Sequence, residues 1–184
     1  MRTYLWLLLL SVPLFLGSAC KARQPEPEYR PTSTIKDIMT SAVDPIADVL
    51  WGASAEIVTA SGVEDKSPKN DEEWANVRHH AIILMEATNL LQMPGRHVTR
   101  PGEKSEAPGV ELEPVEMETL INQDRQTWNN HAHGLYDATS LALKAIDAKD
   151  VPALFDAGAK IDAACESCHL DYWYPSVKQL YKQP

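Results

Sequence analysis

The sequence is poor in the features that would mark several common protein classes. It has three cysteines in 184 residues: Cys20 near the N-terminus, and Cys165 and Cys168 as a close pair far downstream, so no disulfide framework is suggested. Basic residues are outnumbered 17 to 26, giving a formal charge of -9. That balance disfavours a nucleic-acid partner, whose phosphates call for a positive surface. It suits an encounter with a basic protein, although an ordinary solvated surface explains the same composition. The main apolar run, Leu5 to Leu16, is too short to span a bilayer comfortably. No internal repeat is apparent, and no segment alternates convincingly as a strand.

What is present begins with a leader. Arg2 supplies a positive start, Leu5 to Leu16 an apolar middle, and Gly17-Ser18-Ala19 a run of small residues for cleavage, so residues 1–19 read as a signal peptide rather than a buried helix. The stretch Leu16-Gly17-Ser18-Ala19-Cys20 resembles a bacterial lipobox, which implies that Cys20 becomes a lipid-modified first residue. It departs from the usual pattern at Gly17, where a large aliphatic residue is expected, and simple cleavage before a free Cys20 is the alternative. Residues 20–33 carry Pro25, Pro27 and Pro31 among charged side chains. Such a stretch is an extended tether, reaching roughly 40 Å at about 3.1 Å per residue. Together these features place the protein on the periplasmic side of a bacterial membrane, lipid-anchored through Cys20 or else soluble in the periplasm.

Residues 34–184 read as one helical domain. Ile35, Ile38, Met39, Ala42, Ile46, Val49, Leu50, Ala53 and Ile57 recur at helical steps after a cap at Ser33 or Thr34, with a kink or break expected near Pro45. Gly62 to Asn70 reads as a turn. Asp71 caps a second helix striped by Trp74, Val77, Ala81, Leu84, Thr88 and Leu91, which ends before Pro94-Gly95. Gln92 to Pro114, with four prolines, is an irregular crossing. A third helix spans about Val115 to Ala148 on Ile121, Trp128, Leu135 and Ala142, with Met117, Asp124, His131 and Ala138 interleaved. Asp150 caps a fourth, with Pro152 in its first turn and Leu154, Gly158, Ile161, Cys165 and Cys168 on its stripe, ended by Pro175. The expected fold is an all-α, antiparallel four-helix bundle.

The chemistry is concentrated in Cys165-Glu166-Ser167-Cys168-His169. C-x-x-C-H is the attachment signature of c-type haem. On a helix, residues three apart share a face, so two thiols can reach two vinyl groups while His169 is directed at the iron. The competing readings are buried thiols, half a zinc site and a redox dithiol. Zinc lacks a second cysteine pair and would have to recruit scattered histidines such as His79, His80, His131 and His133. A thioredoxin-like dithiol expects a strand-to-helix setting, and this pair lies late in a helical run. Export supports haem, since bacterial c-type attachment is completed outside the cytoplasm.

A haem motif in the last helix of a four-helix chain resembles the class II cytochromes c, the family containing cytochrome c-prime. The resemblance covers roughly Thr34 to Lys182 and implies one covalently attached haem c with His169 as proximal ligand. One branch of that family leaves iron five-coordinate. The other draws a methionine from early in the first helix, and Ile35-Lys36-Asp37-Ile38-Met39 makes Met39 the candidate sixth ligand, with a gap-filling core methionine as the alternative. Met85, Met93 and Met117 are weaker candidates, and His131 is the rival ligand or a core histidine bonded to a carbonyl. Trp74 and Trp128 pack the bundle or line the haem. Tyr172-Trp173-Tyr174-Pro175 covers a haem edge or plugs the C-terminus. His/Met ligation implies a non-enzymatic electron carrier serving periplasmic or membrane redox proteins. The alternative is a gas-binding protein with a five-coordinate or ligand-displaceable iron. Relatives in this family are often homodimers.

Overall fold

The computed structural model describes residues 29–178. The leader, Cys20 and most of the tether lie outside the described residues. Of an N-terminal unit, Met1–Arg30, only Tyr29 and Arg30 are described; the remaining described residues belong to a second compact unit beginning at Pro31.

The first helix is short, bulged and then resumed. Thr34 caps α1 (Ile35–Ile38) through a capping box: its hydroxyl accepts from the Asp37 amide at 3.0 Å, and the Asp37 carboxylate accepts from the Thr34 amide at 3.0 Å. A π-helical turn, Met39–Val43, follows, with the Asp44 amide donating to the Met39 carbonyl. α2 (Asp44–Gly52) then carries Pro45 in its first turn, where a missing donor costs nothing. The break expected near Pro45 is therefore a π-turn just ahead of it.

Two expectations fail between α2 and α3. The helix does not continue to Ile57, and the fold is not free of strands: β1 (Glu56–Thr59) and β2 (Gly62–Asp65) form an antiparallel ribbon with Val58 opposite Val63. Ile57 sits four residues past Ala53 and so mimics a helical step, but Ile57-Val58 are β-branched and favour extended backbone. Gly62 supplies φ 132° at the turn, a conformation other residues rarely adopt. All residues of the ribbon are exposed.

α3 (Asp71–Leu91) is capped by Asn70, whose side chain accepts from the Glu73 amide at 2.9 Å, and not by Asp71 as expected. Its expected stripe is buried throughout, Ala81, Leu84 and Thr88 completely. The third expected helix is two: α4 (Pro114–Gln123) and α5 (Arg125–Asp147), divided at Asp124. Asp124 stands on the interleaved stripe expected of a single third helix. Its carboxylate accepts from the Thr127 amide at 3.0 Å and hydroxyl at 2.7 Å, so it caps a new helix in preference to continuing the old one. α6 (Val151–Tyr172) starts from the Asp150 cap and stops at Tyr172, and Pro175 opens a separate turn, α7 (Pro175–Lys178).

α2 packs on α3 and α6, and α5 packs on the same two helices. These four close around a shared core of Leu50, Leu84, Ala142, Leu154 and Ile161, the ring of contacts that defines a four-helix bundle. Gly158 allows one close approach: the Trp51 indole N–H donates to its carbonyl at 3.0 Å, and a Cβ there would lie 3.1 Å from the Trp51 ring. Gly158→Leu should displace that indole and lower stability by about 1–3 kcal/mol, read as a lower denaturant midpoint. An unchanged midpoint would mean that Trp51 has free room to move.

Candidate functional site

The end of α6 presents Cys165, Cys168 and His169 toward the N-terminal π-turn that begins with Met39. All four side chains line one cavity of about 280 Å³, walled by Val43, Ala47, Trp51, Leu91, Trp128 and Leu135. A second cavity of about 290 Å³ shares Met39, Asp44, Trp128, Cys168 and His169 with the first and extends past Lys36, Thr40 and Ser105. The two adjoin at these shared walls as the lobes of one cleft, each close to the lower end of the size class of ligand pockets, about 300–1,000 Å³. Met39 and His169 border both of its lobes.

The electrostatics leave neutral, soft donors in the cleft. Both cysteines are free. Burial, helped by the Asp44 and Asp162 carboxylates, pushes the Cys165 thiol up to about 11. Burial, with Cys165 and Asp171 nearby, pushes Cys168 up to about 12. Burial lowers His169 against the opposing pull of Asp44 and Glu166, which keeps a ring lone pair available. Asp44 itself is raised, chiefly by burial, with His169 opposing and Asp48 adding to the rise. Two thiols and an imidazole on the walls of one largely apolar cleft are groups able to hold a covalent haem, and the thioether beside them is a further soft donor. In the folded haem-free chain, the raised thiols should alkylate slowly at neutral pH, and the rate should climb about tenfold per pH unit up to pH 10 as thiolate accumulates. A rate already at its plateau at pH 8 would contradict that environment.

The other sequence candidates separate clearly. His131 lines the first lobe, and its Nε2 pairs with the Asp171 carboxylate at 2.9 Å, a carboxylate and not the expected carbonyl. Lys178 also bonds Asp171; burial pushes that carboxyl up, but Lys178 and His131 together hold it below its ordinary range. Met117 borders only the second lobe. Met93 touches the Arg96 guanidinium through sulfur at 3.3 Å, and neither Met93 nor Met85 borders the cleft. His79 and His133 are exposed and His80 is half-buried. Trp74 is core only, whereas Trp128 both packs and lines the cleft, its indole donating to the Leu91 carbonyl at 2.9 Å. The aromatic run divides. Tyr172 is buried edge-on to Trp128, with centroids 5.3 Å apart, while Trp173 stands edge-on to His169 at 4.9 Å.

The long proline-rich crossing is a strap over the second lobe. The Ile35 and Lys36 amides donate to the His97 and Val98 carbonyls at 2.9 and 3.0 Å, and the Leu112 amide donates to Trp173 at 2.8 Å. Buried Arg96 ties its start to the carbonyls of Ser33 and Leu90. Burial pushes Glu111 up, yet the Ala107 amide, the Ser105 hydroxyl and the Trp173 indole outweigh it, leaving a carboxylate that holds the strap's turn. The strap thus connects the segment bearing Met39 to the one following His169.

Sequence reasoning missed Asp44, Trp51 and the strap residues on the cleft wall. Asp44 lies five residues after Met39, a spacing that a 3.6-residue period assigns to another face. The π-turn bond between these two residues brings them to the same cleft, and such turns are frequent at functional sites.

No family model and no curated protein matches the chain. Solved structures that resemble it include nitric oxide complexes of two mutants of cytochrome c prime from Alcaligenes xylosoxidans, at 16% and 18% identity and TM-scores of 0.45 and 0.46. A ferrous mutant of the same protein matches at 19% identity and a TM-score of 0.45. The overlaps cover 77–78% of this chain and 96–97% of those chains. At this level the likeness assigns neither fold family, ligand nor chemistry to this chain.

Proposed function

We propose that this chain is a c-type haem protein with one covalently attached group. In this reading Cys165 and Cys168 would hold the macrocycle through thioethers, and His169 and Met39 would be the side chains that donate to its iron. The observation that supports it most is the presence of these four side chains on one cleft, three of them, Met39, Cys168 and His169, bordering both lobes. The bound group would supply a one-electron couple. The chain supplies apolar walls that exclude water, a neutral imidazole, and a neutral thioether that favours the ferrous state. The finer reading is a non-enzymatic electron carrier, exported and held at the periplasmic side of a membrane by Cys20, exchanging electrons with redox proteins there. No helix among the described residues is long and apolar enough to cross a membrane.

A second reading is gas binding. It is favoured by the wall beside Met39, where Val43, Ala47, Leu91 and Leu135 border the first lobe. A thioether displaced there would leave an apolar space suited to a small neutral diatomic ligand. Absorption spectra of the haem-loaded protein, oxidised and reduced, with and without carbon monoxide, separate the two. A low-spin spectrum with a weak far-red sulfur-to-iron band and no response to carbon monoxide supports the carrier. A high-spin spectrum with ready carbon monoxide binding removes it in favour of the gas-binding reading.

A further inference from the structure

Glu166, the first of the two residues between the cysteines, and Tyr174, beyond the helix end, meet at His169 in a way that neither spacing nor burial demanded. α6 ends with both the Trp173 and Tyr174 amides donating to the His169 carbonyl, at 2.8 and 2.9 Å. That double turn folds the Tyr174 side chain back along the helix it has just left. The Tyr174 hydroxyl donates to Glu166 Oε2 at 2.6 Å and lies 3.4 Å from His169 Nδ1, slightly beyond the usual range of about 2.7–3.2 Å for an N–H···O bond. Glu166 precedes His169 by three residues and so shares its helix face. The Trp173 ring, edge-on at an interplanar angle of 88°, restricts rotation of the imidazole on another side.

A tyrosine hydroxyl that donates its proton to a carboxylate presents its oxygen as an acceptor. Placed at Nδ1, that oxygen accepts the ring N–H and leaves Nε2 with the lone pair. Metal-bound histidines ordinarily donate their second ring N–H to a carboxylate, carbonyl or water, which fixes the tautomer and increases the basicity of the ligating nitrogen. Here the acceptor is a tyrosine oxygen polarised by a carboxylate.

We propose that Tyr174 and Glu166 are positioning residues forming a relay, Nδ1–H to Tyr174 Oη–H to Glu166, that aims His169 Nε2 at the iron and holds the reduction potential down. The proposal rests on the haem reading above. Electron density passed to the imidazole favours the ferric state, so cutting the relay at either point favours the ferrous one. Tyr174→Phe removes one hydroxyl and leaves the Glu166 charge in place, whereas Glu166→Gln removes the charge and keeps a hydrogen-bond acceptor.

The test is the reduction potential of the haem-loaded full chain in wild type, Tyr174→Phe, Glu166→Gln and the double variant, together with exchange of the His169 Nδ1 proton followed by NMR. Each single variant should shift the redox equilibrium toward the reduced form by about threefold or more, where tenfold corresponds to 59 mV. The double variant should shift it no further than the larger single, because the groups act in series. Nδ1–H should exchange faster in Tyr174→Phe. A potential and exchange rate unmoved by Tyr174→Phe overturn the relay, whether or not Glu166→Gln shifts the potential through charge alone. If a variant fails to retain haem, the wild-type Nδ1 proton decides, and its absence or rapid exchange overturns the relay. A wild-type chain that takes up no haem sinks the functional reading instead. The relay is then judged by ring nitrogen shifts of the haem-free chain, where protonation of His169 at Nε2 in place of Nδ1 contradicts it.

Discussion

Met39→Ala should convert the haem-loaded protein from low spin toward high spin, abolish the far-red sulfur-to-iron band and open the iron to carbon monoxide. The reduced-to-oxidised equilibrium should fall by at least about tenfold, or 59 mV, because removing a soft neutral ligand withdraws stabilisation from ferrous iron. The geometry behind this is specific. Met39 opens the π-turn, is half-buried, and borders both lobes of the cleft together with His169. Met117 borders one lobe only, so Met117→Ala should leave the spectrum unchanged. If Met39→Ala also leaves it unchanged, Met39 is a packing residue and the carrier reading loses its sixth ligand.

Leu84→Ala should cost about 2–5 kcal/mol of stability, read from chemical unfolding, because Leu84 is fully buried where α3 joins the core and its removal leaves a cavity. Val58→Ala should stay within about 0.5 kcal/mol. Val58 is 82% exposed on the β1–β2 ribbon, opposite Val63, which is 65% exposed. Similar losses at both sites would mean that the ribbon packs against the bundle, contrary to its exposure along its whole length.

The bundle was readable in the sequence because burial on a helix leaves a periodic trace. The stripes through Trp74–Leu91, Ile121–Ala142 and Leu154–Ile161 are buried where expected. Failures occurred where local chemistry overrode the period. Asp124 preferred to cap, the β-branched Ile57-Val58 pair preferred extension, and a π-turn shifted Asp44 out of helical register. Within the site, Cys165, Cys168 and His169 were visible as a motif, whereas Met39 was singled out by the resemblance to a family that draws a methionine from early in its first helix; its place on a stripe alone fits a core residue equally. Trp51 and the strap were not, because their approach to the cleft depends on contacts far apart in sequence: Trp51 meets Gly158, and Leu112 meets Trp173. Tyr174 was visible only as part of an aromatic run that covers a haem edge or plugs the C-terminus, since the turn that returns it to His169 is made by backbone bonds that carry no sequence signal of their own.

The central claim is covalent haem at Cys165 and Cys168, and the mass of the denatured full-length chain, expressed with a c-type haem attachment system, tests it most directly. The expected spectrum shows the processed chain plus one haem, and the bare chain alone in the Cys165→Ala, Cys168→Ala double variant. A wild-type chain that sheds all haem on denaturation, or carries none, would contradict it.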